Sequence, residues 1–289
     1  MKVTSCLKRR QACILAAMLA GLAMLSAVGG RDASLRRLRR AGVVRIGYAV
    51  EAPYAYLSEA GVVTGEAPEV AKQVVERLGV GRVVWRNMEF DALIPALLEG
   101  QIDVVAAGMF VTEARARQVC FSLPTFKVRH GLLVAKGNPF GICCCDDVVT
   151  NRAVRVAVLD GAVEGEMLRR CGVPEGRLCV VPDALTGRSA VEAGVADALA
   201  LSAPTVKWMA QEGRLGRTES LCGSGVFPPG LESAHGAFAF RKGDRRLAEA
   251  WNACLEGYLG SPEHLALVGR FGFTSAEMPD TVVCKGGGE

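Results

Sequence analysis

Residues 102–126 read IDVVAAGMFVTEARARQVCFSLPTF. IDVVAA is a short apolar run of the kind that forms a buried strand. Gly108 interrupts it, and Thr112 stands where an N-cap would open a helix over EARARQ. Upstream, VVRIGYA and VVWRN read as strands. Between them APEVAKQVVERLG carries Val70, Val74, Val75 and Leu78 on one helical face and ends at Gly79. FDALIPALLEG is a second helix ending at Gly100. Such regular strand–helix–strand spacing predicts parallel sheet with helical crossovers.

Downstream, HGLLVAKGNPFG breaks the rhythm with a strand that ends in a Gly-Asn-Pro turn. The alternation then resumes: VRVAVLDG, VEGEMLRRCG, LCVVPD, TGRSAVEAG, DALALS and APTVKWMAQEG. HGAFAFRKGD repeats the earlier shape, His-Gly, an apolar strand, then Lys-Gly and a polar turn. RRLAEAWNACLEGYLG and PEHLALVGRFG close the pattern as helices. The expected fold is α/β with two lobes, each a mostly parallel sheet flanked by helices. Lobe one takes 43–131 plus 236–289, and lobe two, 132–235, is inserted into it. Two crossover strands are expected near Leu132–Lys136 and Ala237–Arg241 and should let the lobes hinge. Small ligands bind in such clefts, at strand ends and helix N-termini.

The chain has 289 residues, half of them apolar, and a formal net charge of +4. This composition excludes a disordered chain. Lys2, Lys8, Arg9 and Arg10 account for the excess, and the remainder carries 30 basic and 30 acidic residues. A neutral body argues against a nucleic-acid partner. Arg36, Arg37, Arg39 and Arg40 form one surviving basic run, expected as a solvated lead-in helix.

Residues 1–29 combine a basic start, the apolar run ACILAAMLAGLAML and small residues near Ala27 and Gly29. This is the pattern of an export signal peptide. A retained N-terminal anchor is the alternative, although the run is shorter than the about 20 apolar residues of a span. The mature chain is expected to be extracytoplasmic and soluble. Export would put Cys120, Cys143, Cys144, Cys145, Cys171, Cys179, Cys222, Cys254 and Cys284 into an oxidising space. Nine is odd, and the pairing is not fixed by sequence. Cys143–Cys145 lack a second ligand pair at zinc spacing, so no metal is expected.

The chain contains no Gly-x-Ser-x-Gly, His-Glu-x-x-His, phosphate-loop or dinucleotide-binding motif. What it offers is a recognition set. Glu51 and Tyr54 follow the first strand, Phe90 the second, and Gly108, Phe110, Thr112 and Arg115 the third. All open on one sheet edge. Arg115 in the first helical turn could grip a carboxylate with its fork. Tyr54, Phe90 and Phe110 could box a cation, with Glu51 as the counter-charge.

These segments resemble the periplasmic solute-binding proteins of ABC importers, in the amino-acid-binding family 3 class. The resemblance rests on Gly-Met, Thr-x-x-Arg and Phe-Ser-x-Pro within Ile102–Phe126 and extends over most of Val43–Phe273. EAPYAYL, GEAPEVAKQVVERLGV, FDALIPAL and AAGMFVT look most like ectoine/hydroxyectoine-binding proteins. It implies a type II periplasmic-binding-protein-like fold and a monomeric receptor that hands a small zwitterion to a membrane permease, without cofactor or catalysis. It also implies Arg115 on the ligand carboxylate, and Tyr54, Phe90 and Phe110 with Glu51 around its cation. In lobe two the family's Gly-Thr turn is replaced by Leu159-Asp160-Gly161-Ala162-Val163. Gly161, Ala162 and Val163 would therefore offer backbone amides without a hydroxyl, and Asp160 would repel a carboxylate or attract an amine. A polar amino acid is the alternative ligand. A periplasmic cyclohexadienyl dehydratase, with Glu51 as general acid, is the alternative from another class.

Overall fold

The computed structural model describes residues 33–212, 216–222, 226–227 and 233–279. The expected export signal and Cys284 lie outside the described residues. In chain order the first elements are α1 (Ser34–Ala41), β1 (Val43–Tyr48), β2 (Tyr56–Leu57), β3 (Val63–Thr64), α2 (Glu66–Arg77) and β4 (Arg82–Asn87). Then come α3 (Leu93–Leu98), β5 (Val104–Val105), α4 (Glu113–Ala116), β6 (Val119–Phe121) and β7 (Phe126–Ala135). The second half holds α5 (Cys145–Thr150), β8 (Val156–Leu159), α6 (Val163–Arg170), β9 (Leu178–Val181), α7 (Ala184–Glu192), β10 (Ala198–Ser202) and α8 (Ala203–Glu212). It ends with β11 (Thr218–Cys222), β12 (Ser233–Gly236), β13 (Ala239–Arg241), α9 (Arg245–Glu256) and α10 (Pro262–Gly269).

Two sheets result. One has the order β4-β1-β5-β13-β6 and the other β11-β7-β10-β8-β9, with β12 paired to β7. In each sheet three neighbours run parallel, β4-β1-β5 and β9-β8-β10. The rest are antiparallel because they belong to the chain's passage between the sheets. Helix faces cover both sheets. Val70, Ala71 and Val74 of α2 are fully buried with Leu247, Trp251 and Leu255 of α9. Helix α2 stops where expected: Gly79 takes φ +68 and the Val80 N–H returns to the Val75 carbonyl at 3.2 Å.

One expectation is corrected. The crossing lies earlier along both strands than the doubled His-Gly pattern predicts. Leu132–Val134 already pair with β10 and β11 inside the second sheet, and β13 belongs to the first. The strands that pass between the sheets pair antiparallel as Phe126–Arg129 against Ser233–Gly236. The four arginines of α1 are exposed, as expected of a solvated lead-in helix, and two of them also tie it to the body. The Arg39 Nε donates to the Leu78 carbonyl at 2.8 Å, and Arg37 reaches Asp103 at 3.4 Å. Asp103 is almost fully buried beside Arg45 and Arg241. Burial alone would raise its pKa, but hydrogen bonds from Arg45 and the two positive charges outweigh it and leave it lowered.

The His-Gly pairs mark close approaches. A Cβ on Gly236 would fall 1.9 Å from Cζ of Phe126, its partner across the ladder, and one on Gly131 would fall 2.8 Å from Val206. Overpacking a rigid core costs about 1–3 kcal/mol. Gly236→Ala should therefore lower the melting midpoint by several degrees, whereas Gly243→Ala, with nothing within 4 Å of its Cβ, should not. Equal midpoints for the two variants in a thermal melt would refute the account of the crossing.

Candidate functional site

The carboxyl ends of the parallel strands of both sheets meet at a cavity of about 20 Å³ between the lobes. Glu51, Tyr54 and Phe90 line it from the loops after β1 and β4, and Gly108, Phe110 and Arg115 from the segment after β5. Ala162, Val163 and Glu164 line it from the start of α6, and Leu201 from β10. The strand-end rule thus brings most of the sequence-predicted set together. Thr112 acts one step back: its hydroxyl caps α4 by accepting the Arg115 backbone N–H at 3.2 Å. Gly161 contributes a carbonyl. Asp160 is exposed, and Glu164 is the carboxylate that the turn presents to the cavity.

Glycines fix the tight places. Gly108 has φ +64, and a Cβ there would sit 2.5 Å from the Tyr54 ring. Gly161 has φ +70, and its Cβ would meet Asp91 of the opposite lobe at 2.9 Å. Only glycine combines that conformation with that approach.

Among the described residues, three hydrogen bonds cross the cleft. The Tyr54 hydroxyl donates to Ser202 Oγ at 3.0 Å, and the Thr205 hydroxyl to Glu51 Oε1 at 2.7 Å. Arg115 Nη2 donates to the Gly161 carbonyl at 2.8 Å, while Nη1 donates to the Phe110 carbonyl at 2.7 Å. The expected carboxylate fork is thus turned toward two carbonyls, which use two of its five N–H donors. The guanidinium carbon lies 5.3 Å from the Phe90 ring centroid, a cation–π distance. Phe110 meets His130 edge to face at 5.4 Å, and Tyr54 packs on Phe126 at 4.9 Å.

The charges are buried. Arg115 is 8% exposed and Glu164 2%. Burial lowers the Arg115 pKa to about 10 and the nearby Glu164 charge opposes the shift. Burial pushes Glu51 up to about 7, against the Thr205 hydrogen bond and with help from the Glu164 charge. One Glu164 oxygen lies 2.8 Å from His130 Nδ1. If Glu164 is ionised, that nitrogen is the donor.

Sequence reasoning missed Glu164, His130, Leu201, Ser202 and Thr205. Leu201 and Ser202 end a parallel strand, so the rule that found Tyr54 and Phe90 reaches them, and Thr205 lies one turn further on. Glu164 and His130 gave no such signal, because a helix N-terminus and a strand interior are ordinary places for them.

Outside this cavity a larger one of about 490 Å³ continues the cleft. Glu51 and Phe90 border both, and Asn87, Thr186 and Ser189 line the outer one.

Two α/β lobes joined by a strand pair, with a charged and aromatic cavity where they meet, define a solute-binding protein of the two-lobed kind. The chain belongs to the bacterial extracellular solute-binding proteins, family 3, whose model matches residues 44–272. A probable amino-acid ABC transporter periplasmic-binding protein of Sinorhizobium fredii is 29% identical over 261 residues, covering 89% of this chain and 86% of its own. The lysine/arginine/ornithine-binding periplasmic protein of Escherichia coli is 26% identical over 221 residues, covering 73% and 80%. Among solved structures, EhuB in complex with hydroxyectoine superposes with a TM-score of 0.77 at 29% identity, covering 85% of this chain and 94% of its own. An ancestral amino-acid-binding protein, a precursor of cyclohexadienyl dehydratase, gives 0.73 at 25%, covering 82% and 98%.

Glu51, partly exposed toward the outer cavity, should make closure pH-dependent. Its pKa in the closed cleft, about 7, is above its ordinary 4.5. The closed form therefore binds more protons than an open or unfolded one between these values. The stability it contributes is fully present below pH 4.5, falls as pH rises toward about 7 and levels off above. The total change is at most roughly 3 kcal/mol. Glu51→Gln should flatten this part of a melting-midpoint profile taken from pH 4.5 to 8. Parallel profiles for the two proteins would assign the dependence elsewhere.

Proposed function

We propose that this chain is an extracytoplasmic receptor that closes on a small solute carrying both a carboxylate and a compact cation and delivers it to the membrane permease of an ABC importer. Ectoine and hydroxyectoine are the preferred ligands. The observation that carries the reading is the convergence of Arg115, Glu51 and Glu164 with the rings of Tyr54, Phe90 and Phe110 on one buried inter-lobe cavity. A delocalised cationic ring suits aromatic faces backed by carboxylates, and its carboxylate suits a guanidinium. The receptor acts as a monomer, is exported through its N-terminal segment, and binds without catalysis or cofactor.

Ligand pockets occupy roughly 300–1,000 Å³, so a cavity of about 20 Å³ must open to admit a solute. Opening would have to break the three cross-cleft hydrogen bonds and widen the cavity toward the outer one of about 490 Å³, with which it shares Glu51 and Phe90. The Arg115 fork is then released for the ligand carboxylate.

A second reading is a basic amino acid. Glu51 and Glu164 both face the cavity beside one guanidinium, and a ligand with an additional positive charge would favour the ionised form of Glu51. The named relative that binds lysine, arginine and ornithine is in keeping with it.

Calorimetric titration against ectoine, hydroxyectoine, betaine, arginine, lysine, histidine and glutamine separates these readings. Saturable binding of ectoine with no binding of the amino acids supports the first, and the reverse supports the second. Turnover of prephenate or arogenate would replace both with an enzyme.

Arg115→Ala should weaken binding of the best ligand roughly 30-fold to several thousandfold, because truncating one partner of a buried pair costs about 2–5 kcal/mol. Unchanged affinity would remove Arg115 from the site. Phe110→Leu keeps apolar bulk and loses the π face, so affinity should fall roughly 5- to 30-fold. A lowered melting midpoint with full affinity would make Phe110 core and remove the main argument for a cationic ring.

A further inference from the structure

On the reading that the inter-lobe cavity takes the solute, we propose that His130 is a positioning residue: it holds Glu164 ready for a ligand cation that carries N–H donors, and the receptor therefore rejects a fully alkylated ammonium. Glu164 lies in the first turn of α6, lines the cavity and is 2% exposed. One of its oxygens is 2.8 Å from His130 Nδ1, and the other makes no hydrogen bond among the described residues. A carboxylate buried to this degree is costly unless its remaining lone pairs find a donor.

The nearest guanidinium does not supply one. Arg115 lines the same cavity, but its fork is turned to the Phe110 and Gly161 carbonyls, and among the described residues no ion pair joins it to Glu164. His130 can hold the carboxylate aside because it is itself held. It stands on β7, opposite Ser202 of β10. Its ring meets Phe110 edge to face at 5.4 Å and Phe227 at 5.7 Å. An apolar side chain would fill the space between two phenyl rings equally well. What the imidazole adds is an N–H that an ionised Glu164 can accept.

For a zwitterion this separation matters. If Glu164 paired with Arg115, the site would neutralise itself and offer the ligand neither charge. Held by His130, Glu164 faces the ligand cation while Arg115 remains for the ligand carboxylate. An ionised carboxylate only accepts hydrogen bonds. An amidinium, ammonium or guanidinium donates to it in a charge-assisted bond. A quaternary ammonium has no N–H and leaves the acceptor unpaired. The rings of Tyr54, Phe90 and Phe110 alone would accept either kind of cation, so the selection falls to Glu164.

Three pairs of zwitterions test this by calorimetry: ectoine against glycine betaine, proline against its N,N-dimethyl betaine, and lysine against the derivative trimethylated on both nitrogens. In each pair that binds, wild type should favour the N–H member at least tenfold. Equal or tighter binding of the alkylated member overturns the selection and leaves the cavity as the solute site. No binding of any of the six overturns the reading of the cavity as well. Two variants then read the role of His130. His130→Asn keeps an N–H donor near the Nδ1 position and should retain the preference. His130→Leu removes the donor and should shrink the preference several-fold, and His130→Met serves if the leucine variant does not fold. Ligand size or simple packing would lower affinities or the melting midpoint but leave the ratio as it was, so an unchanged ratio without the donor overturns the positioning role. Glu164→Gln, which keeps the shape and loses the charge, should shrink the same ratio, and an unchanged ratio there removes Glu164 as the selecting group.

Discussion

Everything in this molecule hangs on one long strand, β7, that changes partners along its length. The first four residues of β7 pair with β12, and the rest pair with β10 and β11. A single extended segment thereby fixes where the two lobes can meet. Phe126 at its start packs on Tyr54, Phe110 and Phe273, and His130 at the change of partner holds Glu164. Gly236 leaves the space that the Phe126 ring fills. The cavity walls are therefore built outward from the crossing, and the aromatic set is continuous with the core of lobe one.

Charge is the second constraint. Arg115, Glu164 and His130 are all at least nine-tenths buried, and each has a partner close enough to offset desolvation. Glu66 lies deeper and differs. Neither of its oxygens has a hydrogen-bond partner among the described residues, and burial pushes it up to about 8 with only the nearby Thr125 hydroxyl opposing. It is therefore mostly neutral at pH 7. Its position in the first turn of α2 gives the ionised form the helix N-terminus as partial compensation.

The alternation of apolar runs and amphipathic helices was legible because strands and helices carry different periods, and glycines such as Gly79 mark where helices stop. Thr112 was legible as a cap because its chemistry is local. Tyr54, Phe90 and Phe110 were legible because parallel strands share one open edge. Distance in the chain hid the rest. Thr205 matters because it meets Glu51, 154 positions away. Asp160 and Glu164 are both acids near one turn, and only the path of α6 decides which faces inward. The two His-Gly pairs were read correctly as a repeated pattern. The position of the crossing was misjudged because it depends on which strands pair, not on either stretch alone.

The cleft also has an energetic preference of its own. The bonds from Arg115 to Gly161, Tyr54 to Ser202 and Thr205 to Glu51 hold the lobes together through protein groups alone. A solute must compete with them. Its apparent dissociation constant equals the intrinsic one divided by the fraction of molecules already open, so each 1.4 kcal/mol of self-closure weakens apparent binding about tenfold. Substitutions far from the solute can then tune affinity in either direction. Replacing Ser202 or Thr205 by a residue that cannot bond across the cleft would raise the open fraction without altering the walls that Arg115 and the aromatic rings present. Natural variation at such positions is a route by which a receptor of this architecture can adjust its working concentration range while keeping its selectivity.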